Sequence, residues 1–152
     1  MSRLGIVMGS KNDRDLVKPT IDLLEQLGVD YEVSIISAHR NPGKLREYGL
    51  KAEERGFEVI IAAAGGAAHL PGILSSWTTV PVIGVPLPTS ELKGIDALLS
   101  ITQMPAGVPV ACVGIGEGGA KNAALLAAQI LSITDNAIKK AYIKYKRELA
   151  EK

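Results

Sequence analysis

The sequence predicts an α/β fold: a doubly wound, flavodoxin- or Rossmann-like parallel sheet flanked by helices. Short β-branched runs alternate along the chain with longer segments of helical spacing. Strands that alternate with helices favour right-handed crossovers, which place the strands in parallel and the helices on both faces. No repeat, linker or low-complexity segment interrupts the pattern. We therefore expect one domain over residues 1–152, with residues 135–152 as a C-terminal helical extension.

Five apolar runs give the predicted strands, and each is short and rich in β-branched residues. In chain order they are Leu4–Met8, Tyr31–Ile36, Val59–Ala64, Val80–Val85 and Val108–Ile115.

The first helix is predicted from Asn12 to Leu27, with Gly28 as its stop. Its inward-facing side chains are Leu16, Leu23, Leu24 and Leu27. Pro19 falls inside this pattern, so the helix either starts late or kinks.

The next helices are predicted mainly from their caps. Asn41 followed by Pro42 is a cap with proline at the first helical position, and it opens a helix to about Arg55, with Gly56 just past its end. Pro71 opens a third helix in the same way. The fourth and fifth helices are predicted at Ile95–Thr102 and Asn122–Leu131.

The C-terminal segment carries many lysines, which could indicate a basic binding arm. Its apolar residues fall on one helical stripe, however, and this favours an amphipathic helix docked on protein. The stripe consists of Ile138, Tyr142, Tyr145 and Leu149.

The composition excludes several classes of function. The chain has 152 residues, 47% hydrophobic and 22% charged, which suits a globular domain with a real core. Lys plus Arg number 17 against 16 Asp plus Glu, so the chain does not resemble a nucleic-acid binder. The longest weakly charged stretch, residues 59–74, contains a histidine, a proline and three glycines and is a poor membrane span.

The single cysteine, Cys112, excludes an intramolecular disulfide and fits a reducing compartment. Its flanks, PVACVGI, are strand-like and favour a buried apolar thiol over a nucleophile. The first ten residues, MSRLGIVMGS, run into a strand with no cleavable signal pattern. We therefore expect a cytoplasmic protein.

The predicted fold indicates where chemistry should occur, because ligands of open parallel sheets bind beyond the carboxyl ends of the strands. Both histidines of the protein, His39 and His69, follow predicted strands and so lie at this edge. The segments that follow the five strands are residues 9–13, 37–40, 65–69 and 86–90 and the glycines at 114, 116, 118 and 119.

The first of these segments allows two interpretations. Gly9, Ser10, Asn12 and Asp13 could form only a turn and a helix N-cap, as such residues often do. Alternatively, free N–H groups at the helix start and the Ser10 hydroxyl receive an anion. Asp13 would repel a phosphate at close range, so it suits an acceptor for sugar hydroxyls better.

The histidines also have a structural alternative, since a lone histidine at a strand end is often only a satisfied polar residue. His39 is followed by Arg40, and a cation beside a proton-transfer group is expected for an anionic substrate. The glycine-rich run around Gly65 offers close approach of backbone to ligand, or tight helix–sheet packing. Gly114 to Gly119 could be a mobile or a tightly packed loop.

Known cofactor motifs are lacking. Two histidines 30 residues apart and one strand cysteine give no metal-ligand cluster of the usual spacing. The loop at Gly9 is not a P-loop, and Gly65 and Gly66 do not fit G-x-G-x-x-G. The residues thus predict a cofactor-free, metal-free site for a small, phosphorylated anion, with His39 as the acid/base.

Six segments together resemble the N5-carboxyaminoimidazole ribonucleotide mutase family of purine biosynthesis: GSKND, SAHRNP, AGGAAHLPG, VPVIGVP, SITQMPAGVPVA and NAALLAAQIL. The resemblance runs in order from about residue 3 to residue 135. The class of this family that uses free CO2, aminoimidazole ribonucleotide carboxylase, departs from the AAHLPG pattern. This chain keeps the pattern intact, so the resemblance is to the mutase class.

The resemblance implies that Ser10, Asp13 and Arg40 bind the ribonucleotide and that His39 is the general acid/base. The substrate-binding set it implies is Gly9, Ser10, Asn12, Asp13, Ser37, Ala38, Arg40, Ala64, Gly65, Gly66, Ala67, His69 and Leu70. Ala68 lies beside this set. Asn12 and Asn41 stand where relatives often carry Ser and Thr, so a hydroxyl-specific role is not expected at either position.

The implied reaction moves a carboxylate from an exocyclic nitrogen to C4 of the imidazole by loss and recapture of CO2, which needs a closed pocket and one proton shuttle. No ATP, metal or biotin is implied. The resemblance also implies a homo-octamer in which the C-terminal helix packs on a neighbouring subunit. Two alternatives stay open: the CO2-dependent carboxylase, and a non-catalytic flavodoxin-like nucleotide-binding module.

Overall fold

The structure is a computed structural model that describes residues 2–152. Five strands form one all-parallel sheet in the order β2-β1-β3-β4-β5, flanked by six α-helices. The predicted doubly wound fold is therefore confirmed. The strands are β1 (Leu4–Met8), β2 (Tyr31–Ile35), β3 (Val59–Gly65), β4 (Val82–Leu87) and β5 (Ala111–Cys112).

The helices follow the strands in strict alternation until the end of the chain. A short 3₁₀ helix, Lys11–Asp13, precedes the first of them. The α-helices are α1 (Arg14–Gln26), α2 (Pro42–Lys51), α3 (Leu70–Trp77), α4 (Ile95–Thr102), α5 (Glu117–Leu131) and α6 (Asn136–Ala150).

The sheet has its topological switch point between β1 and β3. Both β2 and β3 pair with β1, so the chain leaves β1 toward one edge and then crosses back to the other side. The loops after β1 and β3 therefore diverge to opposite faces of the sheet and leave a crevice at the carboxyl ends of these strands.

Two hydrophobic clusters hold the layers together, one on each face of the sheet. Helices α1, α5 and α6 contribute to the first cluster, and α2, α3 and α4 to the second. Strand β3 serves both, because Ile61 faces one cluster and Ile60 the other, and neither side chain is exposed. A strand buried on both faces must be apolar throughout, so polar groups near β3 can come only from the loops at its ends.

The strand predictions for β4 and β5 need correction. Strand β4 lies two residues later than predicted because the chain enters it only after Pro81, and Pro86 is inside the paired segment. Strand β5 is only two residues long rather than eight. Pro109 has no N–H to donate to the neighbouring strand. Its carbonyl accepts a hydrogen bond from the Ser75 hydroxyl at 2.7 Å instead of one from β4. Strand pairing with β4 therefore begins only after Pro109.

The helix predictions also need correction at several ends. Helix α1 contains Pro19 in its interior, so the alternative of a late start is wrong. The α-helical part of α2 ends at Lys51 rather than Arg55, and a turn leads on to Gly56 at φ +87°. Helix α5 starts at Glu117, five residues before the prediction. Gly119 is packed so tightly against the Gly114 carbonyl that a Cβ would lie 1.7 Å from its oxygen.

Helix α6 is amphipathic, as predicted, and it docks on its own chain; packing on a neighbouring subunit stays a prediction. Ile138 is buried, and Tyr145 packs against the cluster shared with α5, whereas Leu149 is 53% exposed and falls outside the buried stripe. Asp135 caps the helix by accepting hydrogen bonds from two of its backbone N–H groups. The Arg3 guanidinium donates a hydrogen bond to the Asp135 carboxylate at 2.7 Å and another to Glu58. These bonds link the start of α6 to the residues that precede β1 and β3.

Two smaller predictions concern membranes and the cysteine. Within residues 2–152, no helix combines the length and the apolar character that a membrane crossing requires.

The Cys112 thiol is partly buried on β5 beside the second cluster, and burial raises its pKa. A raised pKa disfavours the nucleophilic thiolate, which agrees with a structural role.

Tyr48 on α2 provides a test of the packing. Its hydroxyl is buried without a hydrogen-bond partner in the described chain, and its ring packs on Phe57 with centroids 5.7 Å apart. An unpaired buried hydroxyl costs stability, so Tyr48→Phe should raise the free energy of unfolding by about 1 kcal/mol in urea titrations. Tyr31→Phe is the matched control, since the Tyr31 hydroxyl donates to Glu25 at 2.6 Å and its loss should lower stability by about 0.5 kcal/mol. If Tyr48→Phe lowers stability more than Tyr31→Phe does, the Tyr48 hydroxyl is not an unpaired buried group.

Candidate active site

The loop after β1 forms the first wall of the crevice. The Ser10 hydroxyl accepts a hydrogen bond from the Asn12 N–H at 3.2 Å, and the Asp13 N–H donates to the Ser10 carbonyl at 3.1 Å. These bonds close the 3₁₀ turn that leads into α1, so the predicted capping role of Ser10 is confirmed. Gly9 and Ser10 are half-buried and Asn12 is exposed.

Asp13 is the only acidic side chain of this turn, and it is partly buried. Burial raises the pKa of the Asp13 carboxyl, and a hydrogen bond from the Ser10 backbone partly offsets the shift. Sequence reasoning placed Asp13 in the site but gave no sign of this desolvation, which depends on how the turn folds over the end of β1.

The loop after β2 holds Arg40 in place. The Ser37 hydroxyl accepts hydrogen bonds from both the backbone N–H and the side-chain Nε of Arg40, each at 3.2 Å. Ala38 is buried beneath the loop, while His39 and Arg40 are exposed at the crevice. Asn41 then caps α2 as predicted, by accepting from the Lys44 N–H at 3.3 Å.

The loop after β3 brings bare backbone to the crevice. Ala64 is buried, Gly65 and Gly66 are half-buried, and Ala67 is exposed. Gly66 has φ +60°, and the Ala68 N–H donates to the Gly65 carbonyl at 3.1 Å. This tight turn ends at the buried Leu70, the first residue of α3.

Thr89, in the loop after β4, is a neighbour that sequence reasoning did not select. A Cβ at Gly65 would lie 1.8 Å from the Thr89 hydroxyl oxygen and 3.2 Å from the Leu87 carbonyl. The glycine at position 65 is therefore required by the close approach of the β4 loop, so the packing interpretation applies at this position. No local sequence signal could have paired Thr89 with Gly65.

The two histidines meet across the crevice. His39 Nε2 lies 2.7 Å from His69 Nδ1, and the rings are edge to face, with centroids 4.9 Å apart and an interplanar angle of 80°. Both side chains are exposed, and His69 makes no capping bond to α3. The prediction that both fall on one edge is confirmed, and they are in direct contact.

The arrangement combines an imidazole pair, a guanidinium, a partly buried carboxylate and exposed loop backbone at the carboxyl ends of three adjacent strands. Such a set can hold an anion and sugar hydroxyls while it moves a proton. Residues 2–152 include no group of three or more His, Cys, Asp or Glu side chains placed to hold a metal ion.

Comparison with known proteins gives a consistent result. The sequence model of the family described as AIR carboxylase matches residues 3–152. The N5-carboxyaminoimidazole ribonucleotide mutase of Pyrococcus abyssi is 56% identical over 149 residues, which cover 98% of this chain and 84% of the relative. The protein of the same name from Vibrio parahaemolyticus is 50% identical over 149 residues, covering 98% and 92% of the two chains.

A solved structure agrees with these relatives. The crystal structure of Treponema denticola PurE matches with a TM-score of 0.85 at 28% identity, and the match covers 97% of this chain and 91% of that one. Together with the family match over nearly the full length, this likeness shows that the chain belongs to the AIR carboxylase family.

Proposed function

We propose that this protein is an N5-carboxyaminoimidazole ribonucleotide mutase of de novo purine biosynthesis. It moves the carboxylate from the exocyclic N5 to C4 of the ring and yields 4-carboxy-5-aminoimidazole ribonucleotide. The observation that carries the proposal is the His39–His69 contact beside an intact AGGAAHLPG loop, in a chain 50% to 58% identical to enzymes of that name. One catalytic domain, residues 1–152, performs the reaction.

The ribonucleotide is held by the loops after β1 and β2. Arg40 binds the anionic part of the substrate through its terminal amino groups, because its Nε is already engaged by Ser37. Asp13 accepts hydrogen bonds from ribose hydroxyls, and Ser10 adds its hydroxyl. The remaining contacts come from Gly9, Asn12, Ser37 and Ala38 in these two loops.

The imidazole and the migrating carboxylate lie against the loop after β3. The half-buried backbone of Gly65 and Gly66 and the exposed backbone of Ala67 approach the ring closely, since these residues carry no side chain larger than a methyl group. Ala64, His69 and Leu70 surround the ring. An apolar groove continues from Ala68 and His69 along α3 to Met104 and Val108. Apolar walls of this kind suit contact with uncharged CO2 between its loss and its recapture.

Catalysis requires one proton shuttle and fixed geometry. A carbamate loses CO2 readily and leaves an electron-rich ring whose C4 is nucleophilic. His39 gives a proton to the departing nitrogen and later removes the proton from C4 of the carboxylated ring. The proposed reaction uses no cofactor, and the protein acts on its small-molecule substrate in the cytoplasm, without nucleic acid or membrane.

We infer that the protein self-associates, and the family resemblance favours a homo-octamer. Three apolar side chains lie exposed at spacings of three and four residues on and just before α4: Leu92 at 61%, Ile95 at 58% and Leu99 at 54%. A stripe of this kind on a soluble enzyme is typical of a subunit interface. Ile143 and Leu149 on the outer face of α6 offer a second apolar surface.

Turnover of the carbamate substrate by the purified protein in bicarbonate-free buffer tests the proposed function. We expect efficient conversion, because the carboxylate carbon comes from the substrate itself. A protein that is inactive here, yet carboxylates aminoimidazole ribonucleotide when CO2 is supplied, would instead be the CO2-dependent carboxylase. A protein inactive in both assays with a bound chromophore would be a flavodoxin-like binding module.

Replacement of His39 should slow the reaction strongly without preventing binding. For His39→Asn we expect kcat to fall by about 10²- to 10⁴-fold, the usual contribution of a general acid/base, while the Kd of the ribonucleotide changes little. Stopped-flow turnover and isothermal titration calorimetry measure the two quantities. A near-normal kcat in this variant would show that His39 is not the general acid/base.

The substitution Asp13→Asn is expected to raise the stability of the protein and to lower its activity. The raised pKa of Asp13 means that its ionised form is less favourable in the folded chain than in the unfolded chain. This penalty is fully present above the raised pKa, and it vanishes as the pH falls below the ordinary value of about 4. Asp13→Asn should therefore raise the free energy of unfolding at about pH 7, with a gain that shrinks toward pH 4, while kcat/KM falls about 10- to 100-fold.

The control for this variant is Asp15→Asn, an exposed change in the first turn of α1. Urea titrations of both variants across the pH range give the comparison. The assignment of Asp13 is contradicted if Asp13→Asn is less stable than the parent at neutral pH, or if it retains full kcat/KM.

A further inference from the structure

We propose that His69 is a positioning residue that fixes the tautomer of His39, so that Nδ1 of His39 is the atom that moves the proton. The inference rests on the proposed function for the identity of the reaction, and on the contact between the rings for the choice of atom. It adds a defined role for His69 beyond lining the substrate site.

The geometry permits only one proton between the rings. His39 Nε2 and His69 Nδ1 are 2.7 Å apart, which is a hydrogen-bond distance. Two N–H groups cannot point at each other at this separation, and two lone pairs would repel. One ring therefore donates and the other accepts, and the direction of this bond sets which nitrogen of His39 faces outward with a lone pair.

Two features favour His39 as the donor. His69 is the N-cap residue of α3, where the positive end of the helix dipole disfavours a further positive charge, so a neutral acceptor suits this position. A bond from His39 Nε2–H to His69 Nδ1 also leaves each neutral ring protonated at Nε2, which is the tautomer that free histidine prefers. The opposite direction would force both rings into the less stable Nδ1–H form.

The charged groups on the surrounding elements are few. Helix α3 carries no ionisable side chain, and the loops after β1 and β2 contribute Lys11, Asp13 and Arg40. Helix α2 carries Lys44 and Arg46, and also Glu47 and Lys51, whose side chains pair with each other at 2.7 Å. Cations therefore predominate near the pair, which further disfavours a charge on both rings together.

With Nε2 engaged, the proton movements balance at Nδ1. Protonated His39 gives its Nδ1 proton to the exocyclic nitrogen as the bond from that nitrogen to the carboxylate carbon breaks; its electron pair stays on nitrogen and CO2 is released. C4 then bonds to the CO2 carbon. Neutral His39 removes the C4 proton at Nδ1, the electron pair returns to the ring, and the starting protonation state is restored. The Nε2 proton stays on His39 throughout.

Nitrogen NMR of the free protein tests the tautomer directly. The chain contains only two histidines, so a long-range ¹H–¹⁵N spectrum shows two imidazoles, and His69→Asn assigns the remaining one as His39. At a pH where His39 is neutral, we expect a pyridine-type shift at Nδ1 and a pyrrole-type shift at Nε2. A pyrrole-type Nδ1 on His39 in the parent protein would overturn the proposal.

Two substitutions at His69 test its part in turnover. His69→Leu removes the acceptor, which stabilises protonated His39 through a charge-assisted bond. We expect kcat to fall about ten-fold and the pH profile of kcat to change, with KM within about three-fold. His69→Asn keeps an acceptor oxygen near the position of Nδ1 and should recover most of both effects. His69 makes no capping bond, so both variants should fold.

The outcomes separate the two proposals. An unchanged pH profile in His69→Leu, or a loss confined to KM, would show that His69 only lines the substrate site and would overturn the positioning role. Failure of the parent protein to turn over the carbamate would overturn the proposed function. That failure leaves the tautomer measurement unaffected, because it needs no substrate.

Discussion

The reversal of strand order at β1 is the constraint on which the rest of the site depends. Because β2 and β3 flank β1, the loops after these three strands end side by side at one edge of the sheet. Residues separated by 30 positions in the sequence, His39 and His69, thereby come into hydrogen-bond contact. An order that placed more than one strand between β2 and β3 would leave the same side chains on the same edge, but farther apart.

The burial of β3 on both faces explains why the site is built from small residues. An apolar central strand can bring no charged side chain to its end, and the loop that follows must turn tightly past the β4 loop, where Thr89 leaves no room for a Cβ at Gly65. The site therefore gains backbone groups and space from β3, and takes its charged groups from β1 and β2. This division suits a reaction that needs positioning and one proton shuttle, since fewer reactive side chains are present to trap CO2.

The sequence predicted the fold and the edge of the sheet that carries the site, because both depend on local patterns. Alternation of β-branched runs and capped helical segments identified all five strands and the order of the helices, and α4 was predicted at its observed ends, Ile95 and Thr102. The errors at β4 and β5 come from prolines whose effect depends on the partner strand. Burial of Asp13, the Gly65–Thr89 contact and the histidine bond involve residues far apart in sequence, and no local signal reports them.

The two histidines show why a catalytic residue can be predicted from sequence while its mechanism cannot. SAHR and AAHLPG each predict a histidine at the sheet edge, but either could act alone. Their contact makes the rings one unit, in which the position of one proton decides which nitrogen faces the substrate. Ala68 has φ +43° in the turn between Gly65 and α3, and it directly precedes His69. The backbone at Ala68 therefore fixes the position from which the His69 side chain extends. The backbone of the loop after β3 thus positions His69, and through it the acid/base on the neighbouring loop.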